Sequence, residues 1–176
     1  MRSLFFALTV ALMLSACAST PVQRLNEQIS QARAQSRPVF VYRIQTTFLP
    51  NISPEGAYTR VQFVNTGKRP LSAIAFSVVP YYQGEPVMWN VSHPVVFSAK
   101  GHFEPGKRYA VLSAKPVWTG SAGSWGRVDC VYLVGMTLQY PDGQIERINR
   151  NQITSYLNSE SVPQNCSNLS SPASYN

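Results

Sequence analysis

Residues 61–78 read V-Q-F-V-N-T-G-K-R-P-L-S-A-I-A-F-S-V. Side chains of a strand point alternately to its two faces, so strict alternation marks a half-buried strand. Just before and within this stretch, Tyr58, Val61 and Phe63 fall near one face, with Arg60, Gln62 and Val64 opposite. Further on, Ile74, Phe76 and Val78 stay in step. Between the two alternating pieces, Asn65-Thr66-Gly67-Lys68-Arg69-Pro70 has the composition of a compact turn. The two strands therefore form either a β-hairpin or the first crossover between two sheets.

Working outward, the same grammar repeats. Pro38–Leu49 (PVFVYRIQTTFL) is rich in β-branched and aromatic residues and reads as a strand, with Asn51–Gly56 as a turn after it. Gln83-Gly84-Glu85-Pro86 is another turn, followed by a short apolar piece at Val87–Val91. His93–Ala99 and Tyr109–Ala114 read as short strands joined by a turn-rich connection, Lys100–Arg108. Val117–Arg127 is a Gly/Ser loop holding two tryptophans. Val128–Tyr140 is the longest apolar run of the domain and predicts a central strand, Pro141–Gln144 a turn, and Ile145–Arg150 the last strand. Asn151–Asn158 predicts a short helix with an Asn cap. About seven short strands separated by turn signals, without internal repeats or alternation with helices, predict one all-β antiparallel sandwich of immunoglobulin-like type over residues 37–158.

Composition agrees. The chain has 176 residues, a length for one domain. Only 13% are charged, against roughly 25% in an ordinary soluble domain, while 11% are aromatic and 13 are proline. These values exclude a coiled coil, a helix bundle and an acidic disordered chain.

The N-terminus carries an address. Arg2 gives a short positive n-region, and Leu4–Leu14 is an uncharged apolar run of 11 residues, too short for the ~20 helical residues that span a bilayer. Leu14-Ser15-Ala16-Cys17 follows. This quartet resembles the lipobox of bacterial lipoproteins. The resemblance implies a signal peptide over residues 1–16, acylation of Cys17 and cleavage before it. The competing reading is an ordinary secretory signal cleaved at Ala16-Cys17-Ala18. In the lipoprotein family an aspartate after the cysteine retains enterobacterial members in the inner membrane. Ala18 stands there, which implies the outer membrane, facing the periplasm. Residues 17–36 are then expected as a lipid-anchored tether with fractional helix, because Val22, Leu25, Ile29 and Ala32 recur at helical spacing. Residues 159–176 are expected as a loose tail.

Two cysteines remain besides Cys17. In an oxidising compartment Cys130 and Cys166 read as one disulfide pinning the tail; the alternative is two free thiols. The net charge is +7, or +6 once Arg2 is removed with the signal. Basic residues are scattered in runs no longer than two, so no nucleic-acid stripe is predicted. What remains is a solvated basic surface or weak attraction to anionic envelope polymers.

Chemistry is sparse. His93 and His102 lack neighbours at metal-ligand spacing, although Glu104 lies two residues from His102. Ala122-Gly123-Ser124-Trp125-Gly126 lacks the first glycine of a nucleophile elbow and has no helix after it. No convergent pair of carboxylates stands out, and Asp129 is expected to pair with Arg127 or Lys115. No metal, cofactor or small-molecule substrate is predicted. Aromatics are more suggestive: Tyr81, Tyr82, Trp89, Phe97, Phe103, Trp118 and Trp125 fall in or beside loops. They either plug the ends of the sandwich or form a platform for a partner. Tyr81, Tyr82, Trp89, Trp118, Trp125 and Arg127 are the candidate binding residues, since Trp, Tyr and Arg are enriched at hot spots.

The run from Val61 to Val78, Phe103-Glu104-Pro105-Gly106 and the Tyr140-Pro141-Asp142-Gly143 hairpin together resemble bacterial immunoglobulin-like and FxLYD-type envelope modules over residues 57–148. That resemblance implies a non-enzymatic module. The expectation is a protein-interaction or assembly module of an envelope complex, or alternatively a binder of peptidoglycan or lipopolysaccharide.

Overall fold

The computed structural model describes residues 19–49, 53–86, 94–116, 118–119, 128–163 and 166, with backbone alone at 48–49, 53–55 and 118–119. Among these, the chain runs α1 (Pro21–Ala34), β1 (Val39–Leu49), β2 (Ser53–Asn65), β3 (Leu71–Tyr82), β4 (Glu85–Pro86), β5 (Val95–Phe103), β6 (Arg108–Leu112), β7 (Trp118–Thr119), β8 (Cys130–Gln139), β9 (Ile145–Ile148) and α2 (Arg150–Ile153). A single 3₁₀ turn, Thr154–Tyr156, follows. The strands form two antiparallel sheets. In the first, β2 lies between β1 and β6, with β7 also on β2; in the second, β3 and β8 are central, flanked by β5 and β4 on one side and β9 on the other.

The Asn65–Pro70 turn is a crossover, not a hairpin: β2 belongs to the first sheet and β3 to the second. The core lies between the sheets. Val39, Val41, Val61 and Phe63 from the first meet Leu71, Ile74, Phe76, Leu133, Met136 and Leu138 from the second. Burying each such side chain stabilises the fold by about 1.5–3 kcal/mol. At the centre the Phe63 ring lies 5.7 Å from both Phe76 and Phe103 and 5.6 Å from Tyr109. Such tilted aromatic pairs contribute beyond their buried area.

Several expectations are corrected. Phe97 and Phe103 are not loop residues: β5 continues through 100–103, so the predicted Lys100–Arg108 connection shrinks to a four-residue turn. Ser53–Gly56, read as part of a turn, belongs to β2. The predicted final helix comes one residue earlier than expected, with Asn149 as its cap, and turns 3₁₀ after Ile153.

The tether expected with fractional helix over residues 17–36 contains a full α-helix of 14 residues. Thr20 caps it in a capping box with Gln23, and Pro21 opens its first turn. Its apolar side packs on the outer face of the first sheet, where Ile29 and Ala32 meet Phe40 and Val64, with Leu25 against Tyr42. Val64 therefore looks outward yet is buried. Val22, the fourth apolar residue of the periodic set, stays 64% exposed.

The edge of β1 is also covered. A bulge interrupts its register between Val41 and Arg43, and the chain after the 3₁₀ turn returns to it. Leu157 bridges Val41, the Asn158 N–H donates to the Val41 carbonyl at 2.8 Å, and the Ser161 hydroxyl donates to the Tyr42 carbonyl at 2.9 Å. At Val41 and Tyr42 the edge no longer offers its carbonyls for pairing with another chain.

Candidate functional site

The two ends of the sheets differ in kind. At the end holding the β2–β3 and β5–β6 crossovers, polar groups satisfy one another. Asn65 is fully buried. Its side-chain amide donates to the Arg69 carbonyl at 2.9 Å and the Phe103 carbonyl at 2.8 Å, and its Oδ1 accepts from the Gly67 N–H at 3.0 Å. Its backbone carbonyl accepts from the Gly106 N–H at 2.7 Å. One side chain thus ties the two crossovers together.

At the opposite end, β3 leaves the core at Tyr81 and Tyr82. Gln83 (φ 52°) and Gly84 (φ 80°) both sit in the left-handed region, as a two-residue hairpin of type I′ requires. The turn is held by Asp129, whose carboxylate accepts the Gln83 N–H at 2.8 Å while its own N–H donates to the Tyr81 carbonyl at 2.9 Å. Asp129 thus holds backbone groups of this turn, while Arg127, one of its two expected partners, lies outside the described residues.

The candidate residues divide as follows. Tyr81 is buried within β3, where it joins Val79, Cys130 and Cys166 on the outer face of the second sheet. Tyr82 is half-buried and its hydroxyl accepts from Gln83 Nε2 at 3.2 Å. Trp118 lies in β7, its backbone paired with Ala57 of β2. Because β2 and β3 run from and towards this end, the backbone positions of Trp118 and Tyr82 share it. Cys17, Trp89, Trp125 and Arg127 lie outside the described residues.

Cys130 and Cys166 form the expected disulfide, with Cα atoms 5.9 Å apart. The bridge anchors the chain beyond Val162 to the start of β8.

Among the described residues, no group of three or more His, Cys, Asp or Glu could hold a metal ion. His102 and Glu104 do approach, Nε2 to Oε1 at 3.9 Å, on an exposed surface. The Glu104 carboxyl is held below its ordinary range by a hydrogen bond from Lys107 first and by that residue's charge second. No helix of the described residues is long and apolar enough to cross a membrane.

One feature escaped the sequence reading. A cleft of about 260 Å³ opens between α1 and the first sheet, lined by Asn26, Ile29, Ser30, Arg33, Val64, Gly106 and Arg108. Asn26, Ser30 and Arg33 recur at i, i+4 and i+7, a polar stripe beside the apolar one. The spacing was legible; that Arg108 at the start of β6 would face it was not.

No family model matches the chain, and no curated protein matches it. Among solved structures, a 1.85 Å X-ray structure of a hypothetical protein from Peptoclostridium difficile 630 is similar over 68% of this chain and 91% of that one. The identity is 10% and the TM-score 0.44.

Proposed function

We propose that this chain is a lipid-anchored envelope protein whose two-sheet domain is a non-catalytic protein-interaction or assembly module. The observation that carries the reading is the inequality of the two ends. One is closed by the Asn65 network, whereas the other gathers the β3–β4 turn with Tyr82 and the β7 backbone at Trp118. Loops clustered at one end of a sandwich are where such modules bind. The aromatic residues of the intervening segments, Trp89 and Trp125, with Arg127, complete the proposed contact set. The sandwich itself is proposed as immunoglobulin-like. In support, β1, β2 and β6 share one sheet and β3, β8 and β9 the other, the order of strands A, B, E against C, F, G.

The anchor is proposed at Cys17, in the outer membrane and facing the periplasm, on the Leu14–Cys17 motif. If acylated there, the domain stands close to the bilayer. Thr20 already caps α1, and α1 is docked on the sheet. The three residues from Cys17 to Thr20 reach at most about 10 Å. Two or more acyl chains would make that anchoring stable.

Metabolic labelling with an alkyne fatty acid should mark the wild type and leave Cys17→Ser unlabelled; equal labelling would remove the anchor. Capture from detergent-solubilised envelope should yield a stoichiometric protein partner. Trp125→Ala should weaken that capture by about 1–2 kcal/mol without lowering the melting temperature. Recovery on insoluble peptidoglycan alone would favour a glycan-binding module instead.

A further inference from the structure

We propose that the cleft between α1 and β6 binds a phosphate group, gripped by Arg33 and Arg108. None of the seven residues lining it is acidic, yet it holds two guanidinium groups. Elsewhere on the described surface Arg24, Arg69 and Lys107 each face a carboxylate: Glu160, Asp142 and Glu104. Two guanidinium groups lining one cleft make it electropositive, and an anion there is attracted by both.

The arginines are positioned for this by neighbours. Arg108 Nη2 donates to Asn26 Oδ1 at 2.9 Å, and its guanidinium stands 5.8 Å from the centroid of the Tyr42 ring. Those contacts fix the side chain across the mouth between helix and sheet. Gly106 makes room for Arg33. It adopts φ +79°, and a Cβ there would lie 3.3 Å from Arg33 Nη2. Its N–H, bound to the Asn65 carbonyl at 2.7 Å, fixes this turn to the closed end of the sheets. Buried Ile29 and Val64 form an apolar floor beneath the exposed arginines.

The chemistry selects phosphate. The planar guanidinium offers paired N–H donors that match phosphate oxygens two at a time. Two positive charges balance the roughly −1.5 to −2 of a phosphomonoester. The C-terminal end of α1 opposes an anion with only about half a negative charge. The phosphate oxygens can come from a soluble monoester or, with a single negative charge, from the phosphodiester of a lipid headgroup, since both present paired oxygens to a guanidinium. This proposal stands independently of the anchor and of the aromatic end.

The test uses the chain from residue 17 onward with Cys17→Ser, so that neither the apolar run Leu4–Leu14 nor an acyl chain carries it to vesicles. Inorganic phosphate and glucose 1-phosphate are titrated in while backbone amide NMR signals are followed. The amides of Asn26, Ser30, Arg33 and Gly106 should shift saturably. Arg33→Gln and Arg108→Gln should each weaken binding about tenfold with the melting temperature kept. In a second arm, the same protein is sedimented with phosphatidylcholine vesicles with and without phosphatidylglycerol. Binding that needs phosphatidylglycerol and both arginines assigns the phosphate to a lipid, and saturable shifts without it assign a soluble ester. Absence of binding in both arms overturns the proposal, as does binding that survives in the Arg33→Gln/Arg108→Gln double variant or shifts of equal size with unphosphorylated glucose.

Discussion

The Arg69 guanidinium lies over the face of the Tyr140 ring, 4.3 Å from its centroid. It joins the β2–β3 crossover to the β8–β9 turn, although Arg69 and Tyr140 are 71 positions apart in sequence (140 − 69). The same guanidinium donates to Asp142 Oδ2 at 2.5 Å and to Gln144 Oε1 at 2.7 Å. Beneath it, the Tyr140 hydroxyl donates to Glu146 Oε2 at 2.8 Å. Burial, and secondly that hydrogen bond, push the Tyr140 phenol up to about 12.

Removing the cation tests the stacking. Arg69→Ala should cost about 1 kcal/mol, the worth of a cation–π contact with its packing. Because the ion pair with Asp142 is exposed on both sides, raising the salt concentration should change that loss little. A loss abolished by salt in denaturant titrations would assign the effect to the ion pair instead.

Tyr140 predicts an alkaline dependence. Its folded pKa exceeds the unfolded value of about 10, so its contribution is fully present below pH ~10 and disappears as pH rises through 12. Tyr140→Phe should be less stable than the wild type near neutrality, by about 1 kcal/mol for the lost hydrogen bond. The gap should close between pH ~10 and 12, as the unfolded wild type ionises while the variant has no phenol there to ionise. A gap constant across that range, in parallel denaturant titrations, would contradict the assignment.

Asn65 predicts the largest single loss. Asn65→Ala strips the Phe103 and Arg69 carbonyls and the Gly67 N–H of their partner in a buried place. The expected cost is about 2–3 kcal/mol, measured by chemical denaturation. Asn65→Asp should do no better, since a carboxylate presents oxygen to two carbonyls. A near-neutral Asn65→Asp would show that water, not Asn65, satisfies this turn.

The disulfide closes a loop with a sequence separation of 36. Cys130→Ala/Cys166→Ala should lower stability by at most about 3–4 kcal/mol, by the chain-entropy model. Non-reducing peptide mass spectrometry of the wild type should recover the two cysteines joined, and finding both as free thiols would refute the bridge. Tyr81 and Val79 pack on the bridge, so the near-ultraviolet signal of Tyr81 should change in the double variant even where the core remains folded.

The sequence by itself determined what depends on neighbours along the chain. Alternation at Val61 and Phe63, and again at Ile74, Phe76 and Val78, marks inward faces because strand geometry has a period of two, and all five are fully buried. The Pro141–Gln144 turn was legible for the same reason, since it acts within a few residues of itself, whereas the cap at Asn149 was read as part of the last strand. Tertiary structure alone decided the rest. Whether Asn65–Pro70 closes a hairpin or crosses between sheets depends on which strands lie beside β2 and β3, and those arrive dozens of residues later. Val64 carries the pattern of a solvent face but is buried because α1 covers it. Asn65 reads as an ordinary turn residue, yet it becomes a hub once the β5–β6 turn comes within hydrogen-bond reach. Arg33 and Arg108 are 75 residues apart in sequence and meet at one cleft only because α1 folds back over the sheet. Local patterns encode periodicity and turn chemistry; long-range burial and electrostatics exist only after the chain has closed on itself.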